Sequence, residues 1–234
     1  MRILLACLGL FFFAFQAEAQ KVYEKQMRYP KYDYRLLHFG FETGFNYIDF
    51  NIRRIELLSN AGPLYTIEAE SRPGFSLYLI SDLRLHNYFN LRFTPGISYT
   101  QRDVFYGVED PITGEVFETS KQVESTFLEF PIHLKYRSVR ITNGRAYMLG
   151  GVKFMVDMAS QENVDDPKLL RIKKNDFAYE LGFGVDFYFD YFKFSPQIKG
   201  TWGLNNVLVA DQTIFTNGLT DLRTRAILIS FCFE

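Results

Sequence analysis

Large apolar and polar residues alternate along much of this chain. In "FAYELGFGVDFYF" (177–189) the odd positions are apolar, and the even positions carry small or charged residues such as Glu180 and Asp186. After a bend at 190–191 the alternation resumes with the opposite parity through 192–204. A period of two is typical of a β-strand with one apolar and one polar face. The two runs therefore predict an antiparallel hairpin.

The same alternation predicts eight strands joined by connections that are alternately long and short. The predicted strands are 36–52, 73–86, 89–106, 122–138, 145–159, 177–189, 192–204 and 225–233. The long connections are 53–72, 107–121, 160–174 and 205–221, and the short ones are 86–89, 139–144 and 190–191. Outer-membrane barrels have an even number of antiparallel strands, short periplasmic turns and longer extracellular loops. The pattern therefore predicts an all-β, eight-stranded antiparallel transmembrane β-barrel with both termini periplasmic.

The N-terminus predicts export. Arg2, an apolar run and Ala17-Glu18-Ala19 have the form of a secretory signal peptide over 1–19. "LLAC" before Cys7 also resembles a lipoprotein site, but most of the apolar core follows Cys7. Cleavage after Ala19 leaves a leader at 20–35, either solvated or a periplasmic docking segment, followed by the barrel at 36–234. Cys232 is then the only cysteine, so no intramolecular disulfide is expected.

Composition favours a membrane over a soluble barrel. The chain has 25 Phe and 15 Tyr but one Trp, and its net charge of −1 predicts no nucleic-acid partner. A soluble lipocalin-like barrel also alternates, but it turns its apolar face inward around a ligand. Here the small and charged residues share one face, the other face is aromatic, and the chain closes in "ISFCFE". Such aromatic terminal strands are recognised by the outer-membrane assembly machinery, although Glu234 after the last Phe departs from that pattern.

The predicted inward face carries six acids and six bases. An eight-stranded barrel is just wide enough for side chains to fill, and unpaired charges there would be costly. Equal numbers predict a network of ion pairs that plugs the lumen, and a conducting or ligand-carrying lumen is the alternative. The residues of this predicted network are Glu42, Asp82, Arg84, Arg92, Glu129, Lys135, Lys153, Asp157, Glu180, Asp186, Lys193 and Lys199.

An enzyme is not expected. Barrel enzymes place polar catalytic groups at the extracellular rim or at outer-leaflet depth, whereas the predicted topology puts His38, His86 and His133 toward the periplasmic side. The inward His38 and His133 instead suit the predicted lumen network. We expect no catalytic, cofactor-binding or metal-binding residue and no cofactor.

Five segments of the mature chain have a distinctive wording. They are "LHFGFETGFNYIDFNI" (37–52), "PGFSLYLISDLRLHNYFNLRFTPGISYTQRD" (73–103), "ESTFLEFPIHLKYRS" (124–138), "YMLGGVKFMVDMAS" (147–160) and "DFAYELGFGVDFYFDYFKFSPQIKGTWGLNNVL" (176–208). These segments resemble the PorT family of outer-membrane barrels, and the similarity covers nearly the whole mature chain. Membership would imply a non-catalytic component or assembly factor of the type IX protein secretion system, which is tied in some bacteria to gliding motility. Expected partners are outer-membrane lipid and other type IX components. The alternative is a small barrel unrelated to secretion that acts as an anchor or binds a small solute or lipid.

Overall fold

The computed structural model describes residues 27–30, 32–54, 64–109, 116–160, 172–209 and 219–234. The predicted signal peptide and residues 20–26 of the leader lie outside the described residues. A 3-10 helix, Tyr32–Tyr34, precedes the first strand. The strands are β1 (Leu37–Arg54), β2 (Leu64–Ser71), β3 (Pro73–Arg84), β4 (Phe89–Phe93), β5 (Gly96–Glu109), β6 (Val116–Arg137), β7 (Gly144–Asp157), β8 (Asn175–Tyr188), β9 (Lys193–Gly203) and β10 (Leu219–Phe233).

The strands form a closed antiparallel ring. From β6 to β10 each strand pairs with the next along the chain, and β1 pairs with β10 on one side and β3 on the other. Strands β2 and β3 are separated only by Arg72, and β4 and β5 only by Thr94 and Pro95, so each couple fills one position in the ring. The ring therefore has eight positions, which confirms the predicted all-β, eight-stranded antiparallel barrel.

The break between β4 and β5 has a simple chemical cause. Pro95 has no backbone N–H to donate to a sheet ladder. Its carbonyl still accepts from the Leu79 N–H at 2.9 Å, and the Thr94 N–H donates to the Pro131 carbonyl at 3.2 Å. The wall therefore continues through a local interruption of the predicted strand 89–106.

Three of the predicted long connections are shorter in the structure than expected. Strand β2 lies within 53–72, β5 and β6 leave only 110–115 between them, and β10 begins at Leu219 rather than 225. Backbone pairing needs only N–H and C=O groups, so it extends into polar sequence where the alternation of apolar residues fades. The strands are therefore longer at this end than the pattern predicts.

The wall is apolar outside and polar inside. The outward side chains of Leu181 and Phe183 are 57% and 51% exposed, whereas the inward Glu180 and Asp186 are 1% and 0% exposed. An exposed apolar wall suits lipid, and a lipocalin-type barrel has the opposite arrangement. The predicted assignment of the two faces therefore holds along β8. In the described part of the chain, no helix has the length and apolar character needed to span a membrane.

The two ends of the barrel differ. Residues 85–88, 138–143 and 189–192 form short turns at one end, where Glu234 and residues 27–30 and 32–36 also lie. We call this the short-turn end and the opposite one the long-loop end.

Candidate functional site

The middle of the lumen holds a layer of paired charges. Lys153 Nζ lies 3.0 Å from Glu129 Oε2 and 2.9 Å from Glu180 Oε1. Glu180 Oε2 also lies 2.7 Å from His133 Nε2, and the Tyr78 hydroxyl donates to Glu129 at 2.8 Å. Strands β3, β6, β7 and β8 each supply part of this layer, so the charges bridge strands across the lumen.

A second pair lies on the wall formed by β1, β9 and β10. Lys199 Nζ is 2.8 Å from Glu42 Oε1, and the Ser230 hydroxyl donates to the same oxygen at 2.8 Å. The Lys199 ammonium also lies 5.0 Å from the centre of the Tyr78 ring, within the range of a cation–π interaction. Because Tyr78 also donates to Glu129, this contact joins the Lys199–Glu42 pair to the layer around Lys153.

The next layer, toward the short-turn end, is built around Asp186. Its carboxylate lies 3.1 and 3.2 Å from Lys135 Nζ and accepts from the Ser195 hydroxyl at 2.6 Å. Lys193 Nζ is 3.9 Å away. Lys135 Nζ lies 3.6 Å from the centre of the Tyr147 ring. A cation and an aromatic ring therefore fill the lumen at this level.

The inward glycines of β8 make room for these long side chains. A Cβ added at Gly184 would collide with the Tyr147 ring, and one at Gly182 would press against the Lys199 side chain. These two small inward residues are thus paired with large polar side chains on neighbouring strands.

Glu234 turns back into the lumen at the end of β10. Its Oε1 lies 2.6 Å from Arg92 Nη2, and its Oε2 lies 2.9 Å from Lys193 Nζ. Arg92 also donates from Nε and Nη2 to Asp82 at 3.0 and 2.7 Å. Burial alone would raise the pKa of Glu234, but Arg92 and then Lys193 outweigh it and hold that pKa well below its usual range. Glu234 is therefore an ionised member of the lumen network.

The leader enters the barrel mouth at Tyr32. This residue is 3% exposed, and its hydroxyl donates to Glu234 Oε2 at 2.7 Å. Its ring stacks on His38 with 4.1 Å between ring centres, and its carbonyl lies 2.8 Å from His38 Nε2. Burial, together with the charge of Glu234, raises the pKa of the Tyr32 phenol, so the hydroxyl stays neutral and remains a donor.

Asp33 is held by three arginines, which we call the arginine clasp. Arg145 Nη1 lies 2.9 Å from Asp33 Oδ1, Arg140 Nη1 lies 3.1 Å from Oδ2, and Arg137 Nη1 lies 3.9 Å from Oδ1. The Tyr188 hydroxyl is 3.3 Å from Oδ1. The 3-10 helix of the leader is therefore docked over the mouth of the barrel.

The long-loop end of the lumen is different in character. The Arg102 guanidinium lies between aromatic rings, 4.1 Å from the Phe50 centre and 5.5 Å from the Phe127 centre, and it donates to the Ser125 hydroxyl. Apolar side chains pack inside the barrel below it. The members of this cluster are Ile48, Phe127, Met155, Ala178 and Ala226.

Ten of the twelve predicted network residues pair with one another. These groups are Glu42–Lys199, Asp82–Arg92, Glu129–Lys153–Glu180 and Lys135–Asp186–Lys193. Arg84 instead lies half-buried at the short-turn mouth, where it donates to the Asp33 carbonyl and to Asn87 Oδ1. Asp157 is buried but accepts from the Ala159 N–H at 3.0 Å.

Sequence reasoning missed Glu234, Asp33 and the arginine clasp. A usable signal existed for Glu234, because it continues the inward parity of Ser230 and Cys232. Asp33 lies in a segment without periodicity, so no pattern marks it. Among the described residues, no group of His, Cys, Asp and Glu is placed to hold a metal ion.

A closed antiparallel ring with an apolar exterior and a charged interior defines an outer-membrane type of β-barrel protein. Residues 18–209 match the family described as "Outer membrane protein beta-barrel domain", and the chain belongs to that family. Its location is therefore the outer membrane. No curated protein matches the sequence significantly.

Solved structures of similar fold are small outer-membrane barrels. OprG from Pseudomonas aeruginosa is 12% identical with a TM-score of 0.48, covering 83% of this chain and 94% of that one. Neisserial surface protein A (NspA) is 9% identical with a TM-score of 0.42, covering 84% and 97%. Ail, the attachment invasion locus protein of Yersinia pestis, is 8% identical with a TM-score of 0.39, covering 83% and 96%.

Proposed function

We propose that this protein is a non-conducting, non-catalytic barrel that serves the type IX protein secretion system as an accessory or assembly component. The observation that supports the non-conducting part is the series of paired charges inside the lumen. Paired side chains occupy successive layers from Arg102 to the arginine clasp. An eight-stranded ring is too narrow to pass folded cargo in any case. Such a barrel works through its outer wall and its two ends.

The secretion role rests on the resemblance of the quoted segments to the PorT family. In this proposal the short-turn end and both termini face the periplasm, where other secretion components would meet the docked leader. The short turns at this end support that orientation, because outer-membrane barrels keep their short turns on the periplasmic side. Expected partners are outer-membrane lipid and other type IX components.

A deletion strain tests the secretion role. Loss of the gene should abolish export of type IX substrates, and a plasmid copy should restore it. Intact export with altered uptake of a small solute would instead favour the alternative, a small anchor or solute-binding barrel unrelated to secretion. Affinity purification from outer membranes in mild detergent would then identify the partners.

Conductance tests the filled lumen independently of secretion. The purified protein in a planar bilayer should give little or no stable current, because side chains and ion pairs occupy the pore axis. Large, persistent open steps would contradict the non-conducting proposal and leave the question of secretion untouched.

A further inference from the structure

The arginine clasp carries more positive charge than the leader neutralises. Three guanidiniums surround the single carboxylate of Asp33, and their side chains are only 3%, 3% and 9% exposed. Arg84 adds a fourth positive charge beside the Asp33 carbonyl. Positive charges held this close in a buried setting repel one another unless an anion balances them. Among the described residues, Asp33 is the one carboxylate within 4.0 Å of the clasp.

The arginine clasp also contains hydrogen-bond donors that have no acceptor among the described residues. Each of the three nitrogens of the Arg140 guanidinium has a partner, since they donate to the Thr142 carbonyl at 2.9 Å, to Asp33 and to the Arg28 carbonyl. In contrast, the buried Nε atoms of Arg137 and Arg145 have no hydrogen-bond partner among the described residues. Unsatisfied guanidinium N–H groups in a positive site are suited to an oxyanion, which can accept from several of them at once.

An open cleft gives access to Arg145 from outside. It has a volume of about 320 Å³ and is lined by Asp33, Tyr34, Tyr88, Val139, Arg140 and Arg145, among others. Tyr34 and Val139 line this cleft with side chains that are 82% and 66% exposed, so they offer aromatic and aliphatic surface at its rim.

The cleft lies beside an aromatic pair on the outer wall of the barrel. Tyr88 directly precedes Phe89, whose outward ring lies 5.2 Å from that of Tyr136. Aromatic girdles of this kind mark the membrane interface in barrels. A lipid packed against this wall would therefore place its acyl chains along the outward apolar residues and its headgroup beside the cleft.

We propose that the short-turn mouth binds the phosphate group of a phospholipid, which Arg145 recognises as an oxyanion from the cleft while Arg137 adds positive charge behind it. The surplus of positive charge and the unpaired Nε atoms suit the phosphate group. The exposed Tyr34 and Val139 side chains suit the adjoining acyl chains. Basic pockets at the membrane surface are suited to lipid headgroups. This proposal does not depend on a role in secretion.

Native mass spectrometry of the full-length mature barrel in mixed micelles tests the site. With phosphatidylglycerol present, the wild-type protein should retain one lipid, whereas diacylglycerol without phosphate should be lost. Arg145→Gln should lower retention of phosphatidylglycerol by about fivefold, since one cation near an anionic lipid surface is worth about 1 kcal/mol. Arg137→Gln should act in the same direction and provides a second test if Arg145→Gln does not fold.

Arg28→Gln is the matched control, because Arg28 lies at the same end but is 50% exposed and pairs outside the clasp with Asp190. Heat-modifiable migration on a gel establishes that each variant is folded. Unchanged retention in a folded Arg145→Gln or Arg137→Gln barrel would overturn the proposal, as would an equal loss in Arg28→Gln. Competition with inorganic phosphate separates the two phosphate sources: displacement by phosphate as readily as by lipid would assign the site to free phosphate and refute the lipid.

Discussion

Replacing Asp33 with Asn should release the leader from the barrel mouth. The substitution keeps the shape of the side chain but removes the charge that faces Arg137, Arg140 and Arg145 at 3.9, 3.1 and 2.9 Å. Hydrogen bonds to charged groups contribute about 1.5–3 kcal/mol each. The Asp33 side chain is 23% exposed, so the sum is reduced by solvent. We therefore expect docking of the leader to weaken by about 2–4 kcal/mol, and the three arginines would repel one another in addition.

Limited proteolysis with trypsin measures this change directly. The leader carries trypsin sites at Arg28 and Arg35, whereas a closed barrel resists the protease. When opening is fast relative to cleavage, the cleavage rate follows the population of the open form. A loss of about 2–4 kcal/mol should therefore speed cleavage of the leader by about 30- to 700-fold, while the barrel remains intact.

Asp190→Asn serves as the control for the same segment. Asp190 pairs with Arg28 of the leader at 3.3 Å, but the two side chains are 63% and 50% exposed. Exposed pairs of this kind contribute little, so cleavage should change only slightly. Equal cleavage of wild type and Asp33→Asn would show that the arginine clasp does not hold the leader, and the reasoning from burial and charge would be refuted.

Three further results are expected. Phe183→Arg, on the lipid face, should destabilise the refolded barrel in vesicles by about 2–4 kcal/mol near the bilayer midplane, as measured by denaturant titration; a harmless substitution would contradict the assigned face. Because its pKa is lowered on folding, ionised Glu234 stabilises the barrel above its ordinary value near 4.5, and this contribution is lost as the pH falls toward the lowered pKa; Glu234→Gln should flatten the dependence of unfolding on pH in that range, and an unchanged slope would assign it to other groups. Cysteines placed at Thr113 and Pro167, both outside the described residues, should label in intact cells with an impermeant reagent, whereas one at Asn143 should not; labelling at Asn143 alone would reverse the orientation.

The wall of the barrel could be predicted from the sequence because its signal repeats. Every second residue of a membrane strand meets either lipid or the lumen, so the parity of Phe183 and Glu180 is repeated along many neighbours. The charged network in the lumen could be predicted from the same parity. Residues such as Lys199 and Glu42 lie on the polar face of their strands, and charged side chains on the lipid face would be costly. Arg84 was assigned to the lumen network by parity alone. It lies instead at the short-turn mouth, beyond the end of the lumen.

The closure at the short-turn end could not be predicted in this way. The leader makes a single turn of 3-10 helix at Tyr32–Tyr34, which is too short to show a period. Docking of Asp33 depends on three arginines from β6, β7 and the turn between them, and no local pattern links these positions. Contacts between distant, non-periodic segments are decided by tertiary geometry and require a structure.

The length of the outward apolar run in strand β6 matches the thickness of the membrane. Its outward residues are apolar from Tyr136 to Leu128, and beyond them Thr126, Glu124 and Gln122 are polar. The apolar part spans about 27 Å of strand, or about 21 Å of depth at the usual barrel tilt of about 40°, close to the hydrophobic band of outer-membrane barrels. The ladder between β6 and β7 ends at Phe127, so the rest of β6 extends past β7 together with β5 and β2 as a three-stranded sheet. One side of the barrel therefore extends beyond the lipid band at the long-loop end. In the proposed orientation, with both termini in the periplasm, a molecule approaching the cell from outside would meet this extension before it reached the lipid.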